Sequence, residues 1–167
     1  MAANVSSLSF LSCVDTVSVL DHIDNERREL SAKGARQATG LGQFLRNGGV
    51  RFDAAYSSPL IRARQTAGLI LDETNKGSHL EFQLAGALVN ATPVEDFVGW
   101  LKSWPPVEHL LLVGHEPTMS QRVAALLGVQ GPYGIEMKKA ACCCLTSRNL
   151  EHATLKFHVT PECLGIS

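Results

Sequence analysis

Two short stretches carry side chains suited to handling an anion. In "SSPLIRARQT", Ser57 and Ser58 stand just ahead of a helix start and Arg62 lies about one turn in. Hydroxyls and the free N–H groups of a helix N-terminus donate toward a negative ligand. A guanidinium adds a rigid fork of donors that fits phosphate oxygens. Arg62 and Arg64 are two residues apart, so on a helix they face different ways and only one can enter a site. The plain alternative is a pair of solvated arginines. In "LLLVGHEPT", an apolar run ends on a Gly-His turn. Gly114 lets backbone approach closely, and His115 can ligate phosphate, move a proton or attack as a nucleophile. A structural histidine with its bonds satisfied is the alternative there.

A third stretch, "SLSFLSCVDTV", reads as a short strand that ends on Ser12-Cys13. A thiol at a strand end can be an inert packing residue. In a cationic pocket it can instead ionise and attack. Ten or so residues on, "VSVLDHID" offers His22 beside Asp21.

The elements that would hold these residues alternate. "SLSFL" is an expected strand. "LSAKGARQATGLGQFLRNGG" is a helix capped by Ser31, with Ala35, Ala38, Leu41 and Leu45 at helical spacing and Gly48-Gly49 as its stop. "FDAAYSS" is a strand, and "PLIRARQTAGLILDET" a helix with Pro59 in its first turn. "EFQLAGAL" is extended, and "TPVEDFVGWLKSW" is a helix with Thr92 as cap and Pro93 at its first position. "HLLLVGHEP" is the plainest strand. It is followed by a helix in "TMSQRVAALLG" ended by Gly128, and by two late strands, "KKAACCCLTS" and "ATLKFHVTP", as an antiparallel pair. Such alternation predicts an α/β fold: a three-layer α/β/α sandwich with a mostly parallel central sheet. Ligands of such sheets bind at the carboxyl ends of strands, where all three candidate stretches fall.

Composition narrows the function classes. The chain has 167 residues, 45% of them hydrophobic and 19% charged, with net charge −1. That balance fits one soluble domain spanning 1–167 and gives no reason to expect a nucleic-acid or membrane surface. Five cysteines, three of them consecutive, suit neither a disulfide framework nor a zinc site. They read as buried, reduced thiols in a cytoplasmic setting. The N-terminal segment has no Lys or Arg before Arg27, which makes a poor secretory signal.

Taken in order, "RELSAKGARQA", "SSPLIRARQTA", "LLLVGHEPTMS", "EMKKAA" and "FHVTPECL" resemble the histidine phosphatase superfamily, with its phosphoglycerate-mutase-like fold. The resemblance runs from about Leu30 onward and is nearest the SixA-type phosphohistidine phosphatases. It implies removal of a phosphoryl group from a phosphohistidine protein or a small phosphate ester, without metal or cofactor. In that family an Arg-His-Gly motif ends the first strand, and its His is phosphorylated during turnover. A second Arg and a second His complete the pocket. Arg62 matches that second Arg and His115 that second His, leaving Arg64 outward.

The motif itself falls on Ser12-Cys13-Val14, so neither the nucleophilic His nor its companion Arg is present. The implied catalytic set is Arg62, His115 and, by nucleophile position only, Cys13. The implied phosphate-binding set is Ser12, Ser58, Arg62 and His115. In an alternative register His22 is the nucleophile, with Asp21 where a cation is needed. Two functions follow: a phosphatase impaired by the lost nucleophile, or a catalytically inactive phosphate- or phosphoprotein-binding module. A structural domain whose cysteines serve a redox or metal role is a third.

Overall fold

A computed structural model describes residues 27–105, 107–130 and 134–166, together with the strand backbone of 5–12. The elements are β1 (Val5–Ser12), α1 (Ala32–Asn47), β2 (Ala54–Ser57), α2 (Ile61–Thr74), β3 (Gln83–Leu84), α3 (Val94–Lys102), β4 (Val107–Gly114), α4 (Thr118–Leu126), β5 (Cys142–Ser147) and β6 (Ala153–Val159). The strands form one sheet in the order β3-β2-β4-β1-β5-β6. Pairings from β3 through β2 and β4 to β1 are parallel, while β5 and β6 join as antiparallel strands.

The apolar run of β4 explains why it lies inside the sheet. A strand covered by helices on both faces needs apolar side chains in both directions. Leu110 and Leu112 join one core with Tyr56, Phe97 and Leu101 of α3, and Met119, Val123 and Leu126 of α4. Leu111 and Val113 join the other, with Leu41 and Leu45 of α1 and Ala63, Ala67 and Ile70 of α2. These two cores, one on each face, make the three layers.

The cysteine run follows the same pleat, because alternate strand residues face opposite ways. Cys142 packs in the α1–α2 core and Cys143 in the α3–α4 core. Burial raises both thiol pKa values, that of Cys143 to about 12, so they stay protonated. Cys163 differs from the expectation of buried thiols: it is exposed, within a short 3-10 turn at Glu162–Leu164. Among the described residues no His, Cys, Asp and Glu cluster could hold a metal ion. No described helix is long and apolar enough to cross a membrane.

Helix ends show where local sequence signals held and where they shifted. Ser31 caps α1, its Oγ accepting from Gly34 N at 3.0 Å. Pro59 falls outside α2, whose N-cap is Leu60, because Ser58 and Pro59 are needed for the turn out of β2. Thr92 does not cap α3. Pro93 holds that position, and the Thr92 hydroxyl donates instead to Gly86 O at 3.1 Å. The extended stretch expected over "EFQLAGAL" shortens to two strand residues and a 3-10 turn at Gly86–Leu88.

The helices α1 and α2 meet at Gly42, where an added Cβ would lie 2.8 Å from Glu73 Cβ and 3.2 Å from Ile70 O. Glu73 also anchors Arg46 Nη1 at 2.6 Å and Lys76 Nζ at 3.0 Å, so it has little freedom to retreat. An alanine in a helix interior gains up to about 1 kcal/mol over glycine. Overpacking a tight contact costs about 1–3 kcal/mol. Gly42→Ala is therefore expected to destabilise the fold, read as a lower denaturant midpoint with an unchanged slope.

Candidate phosphoryl-binding site

Parallel pairing in register delivers the candidate residues to one end of the sheet. Ser57 of β2 pairs with Val113 of β4, and Ser12 of β1 pairs with Gly114. The chain leaves β2 through Ser58, whose N–H donates to Val113 O at 2.9 Å, and leaves β4 through His115. These two exits meet: His115 Nε2 lies 2.8 Å from Ser58 Oγ. Both are buried, Ser58 fully and His115 at 5% exposure. Ser58 Oγ also receives Leu60 N at 3.4 Å, which ties the pair to the start of α2.

Arg62 sits in the first turn of α2 with only 9% of its surface exposed, while Arg64 is exposed. The outward assignment of Arg64 follows from that helix geometry. Arg62 lies close enough to His115 for its charge to act on the imidazole. Burial first, then the Arg62 and Arg122 guanidinium groups, push the His115 pKa down to about 4. The ring is therefore neutral at neutral pH.

The structure thus brings together three of the expected residues, Ser58, Arg62 and His115. Ser12 ends β1 beside Gly114, but its side chain lies outside the described residues, as do Cys13, Asp21 and His22.

Gly114 is required by packing. A Cβ there would come within 2.6 Å of Met119 Sδ and 3.3 Å of Leu88 O. After it the chain turns through His115, Glu116 and Pro117 into α4, and Thr118 Oγ1 donates to His115 O at 3.0 Å and to Asn90 Oδ1 at 2.8 Å. Asn90 Nδ2 donates to Glu116 O at 2.9 Å. Burial raises the Glu116 pKa, against the bond that its Oε2 accepts from Ser120 Oγ at 2.5 Å.

Asn90, Thr118 and Arg122 escaped the sequence reading. A usable signal existed for Arg122, which falls on the same helical stripe as Met119, Val123 and Leu126 and so had to be buried.

Comparison with known proteins decides the family. The model of the histidine phosphatase superfamily (branch 1) matches residues 22–88. An uncharacterized protein of Picosynechococcus is 33% identical over 122 residues, 72% of each chain. The chain belongs to the histidine phosphatase superfamily. The matched stretch contains Ser58 and Arg62 and begins at His22, after Cys13.

Within the superfamily, a 2,3-bisphosphoglycerate-dependent phosphoglycerate mutase of Streptococcus pneumoniae is 40% identical over 48 residues. That match spans 29% of this chain and 21% of the mutase. In fold, the chain superposes on the protein histidine phosphatase SixA complexed with tungstate at a TM-score of 0.80. The identity is 21%, over 95% of this chain and 99% of that one. A phosphoglycerate mutase from Bacillus anthracis follows at 0.67, with 18% identity over 98% and 97% of the two chains.

The depressed His115 pKa has a thermodynamic consequence. In the unfolded chain the imidazole takes up a proton near pH 6.5; in the folded chain it does so only near 4. Between those values the unfolded state binds more protons, so stability rises with pH and is lost as pH falls through the window. His158 is shifted down by burial as well and adds to the same slope. Comparing wild type with His115→Gln by thermal unfolding from pH 7 to 4 isolates the His115 share. The variant is expected to show a shallower loss of Tm toward low pH, and parallel curves would contradict the buried neutral ring.

Proposed function

We propose that this chain binds the phosphoryl group of a phosphohistidine protein or a small phosphate ester in the pocket of Arg62, His115 and Ser58, and hydrolyses it poorly. The observation that carries this reading is the meeting of a buried arginine, a buried neutral imidazole and a buried hydroxyl at the ends of adjacent parallel strands. Among the described residues the charged groups that act on the imidazole are both guanidinium groups, Arg62 and Arg122, which suits an anion.

The roles follow from charge. A transferring phosphoryl group spreads negative charge over its equatorial oxygens, and catalysis is chiefly positioning and stabilising that charge. Arg62 clamps those oxygens with its fork of donors. His115 meets the anion as a neutral ring that can donate one N–H, and the arriving charge offsets the two guanidinium groups and draws a proton onto it. Ser58 keeps the ring aimed while the pocket is empty. A phosphohistidine substrate suits this site, because imidazole leaves readily without a dedicated acid. The fold likeness to the protein histidine phosphatase SixA supports that substrate class.

Impaired turnover follows from chain position. Ser12 ends β1 paired with Gly114, and Cys13 is the next residue in the sequence. Family members carry Arg-His at those two places. Losing a nucleophile removes several orders of magnitude in rate. "SCVDTVS" has neither an Arg nor a glycine-rich cradle to activate a thiolate in its stead.

The test pairs binding with turnover. Wild type is expected to bind tungstate and to hydrolyse a phosphohistidine peptide barely or not at all, and Arg62→Ala to bind at least about tenfold more weakly. Installing the missing pair, Ser12→Arg with Cys13→His, is expected to raise hydrolysis by roughly two or more orders of magnitude. Absence of tungstate binding in folded wild type would sink the reading. Brisk wild-type turnover lost in Cys13→Ser would make the thiol the nucleophile. Turnover lost in His22→Ala but kept in Cys13→Ser would give that role to His22.

A further inference from the structure

Arg122 is a cation where the core pattern calls for an apolar residue. It is fully buried on α4, on the stripe of Met119, Val123 and Leu126. Its Nη2 donates to Ala87 O at 2.7 Å and to Val89 O at 3.0 Å. Its Cζ lies 4.6 Å from the centre of the Phe97 ring, and Nη1 lies 3.7 Å from Met119 Sδ. Its Nε is buried without a partner among the described residues, and no carboxylate there pairs with the guanidinium. Burial lowers its pKa only to about 10, so the charge persists at neutral pH. Desolvating a guanidinium without a counter-ion is costly, and a methionine would fill the stripe without that cost.

Two features connect this cation to the site. The chain at 87–90 is gripped from both ends: Arg122 holds the Ala87 and Val89 carbonyls, and Asn90 holds Glu116 O and the Thr118 hydroxyl. Thr118 in turn holds His115 O. The turn that presents His115 is thereby braced against the end of the 3-10 segment. The charge also acts on the imidazole, from the α4 side, as that of Arg62 does from the α2 side.

We propose that Arg122 is a positioning residue for the phosphoryl site, bracing the His115 turn and supplying a buried positive charge behind the imidazole. The inference rests on the reading that Arg62 and His115 bind a phosphoryl group. In the register that sets Ser12 at the family's first arginine, that charge would make up part of what the pocket lacks. Arg122 does not touch the ligand; it acts through His115 and the field. Among the described residues the groups facing the ring are Arg62 from α2, Arg122 from α4 and Ser58 from the end of β2, while the adjacent Glu116 faces Ser120 and feels Glu136.

Two variants of the full chain separate charge from scaffold. Arg122→Gln removes the charge and leaves a shorter polar side chain; Arg122→Lys keeps the charge and loses the fork. Histidine NMR titration and tungstate binding are read on both, with thermal unfolding beside them. In Arg122→Gln the His115 ring is expected to titrate at a higher pH than in wild type, and tungstate to bind roughly tenfold more weakly. In Arg122→Lys the titration stays near that of wild type, even if Tm falls. An unchanged His115 titration in folded Arg122→Gln overturns the proposal, as does a shift of equal size in both variants, which would mark a purely structural role. If wild type itself fails to bind tungstate, the phosphoryl-binding reading fails while the titration still decides whether the charge of Arg122 reaches the ring.

Discussion

The position of β4 is the constraint on which the site depends. It is paired on both edges by parallel strands, with Leu110 and Leu112 in one core and Leu111 and Val113 in the other. A one-residue slip would turn every one of those side chains to the opposite face. Register is therefore fixed by packing, and the same register sets Ser12 opposite Gly114 and Ser58 beside His115. The chemistry at the strand ends inherits its geometry from four apolar residues that do none of it.

That constraint explains why the turn after β4 tolerates so little. Gly114 must admit Met119 and Leu88 O where a side chain would stand. Thr118, Asn90 and Ser120 answer His115 O, Glu116 O and Glu116 Oε2, while Glu116 Oε1 is buried without a partner among the described residues. Around His115 the positive groups come from helices on opposite faces of the sheet, Arg62 from α2 and Arg122 from α4. A neutral imidazole between them is the state in which the empty pocket carries the least repulsion. An anion reverses that preference, so ligand binding and ring protonation are coupled.

Much of this was legible in the sequence because it rests on periodicity and local sterics. The apolar run of "HLLLV", the helical spacing of Ala38, Leu41 and Leu45, and the Ser31 cap all reappear as expected. Ser58, Arg62 and His115 were visible as strand-end and helix-start residues. The positions misread were decided by distant partners. Thr92 has the right type for a cap, but Gly86 O offers its hydroxyl another acceptor. Pro59 could open a helix, yet the turn out of β2 takes it first. Asn90 bonds residues 26 and 28 positions away, and Arg122 bonds carbonyls 35 and 33 positions away, distances that no local pattern encodes.

The strand ends also separate two tasks that an active phosphatase combines. On the proposed reading, holding a phosphoryl group would draw on β2, α2 and β4, whose ends supply Ser58, Arg62 and His115. Attacking it draws on the residue after β1. Because β1 is held through backbone pairing to β4 and β5, its place in the sheet does not depend on which side chain follows Ser12. Substitution at the position after β1 is thus compatible with an unchanged sheet. The buried arginine of α4 is different, because a charge without a carboxylate partner among the described residues is costly to desolvate.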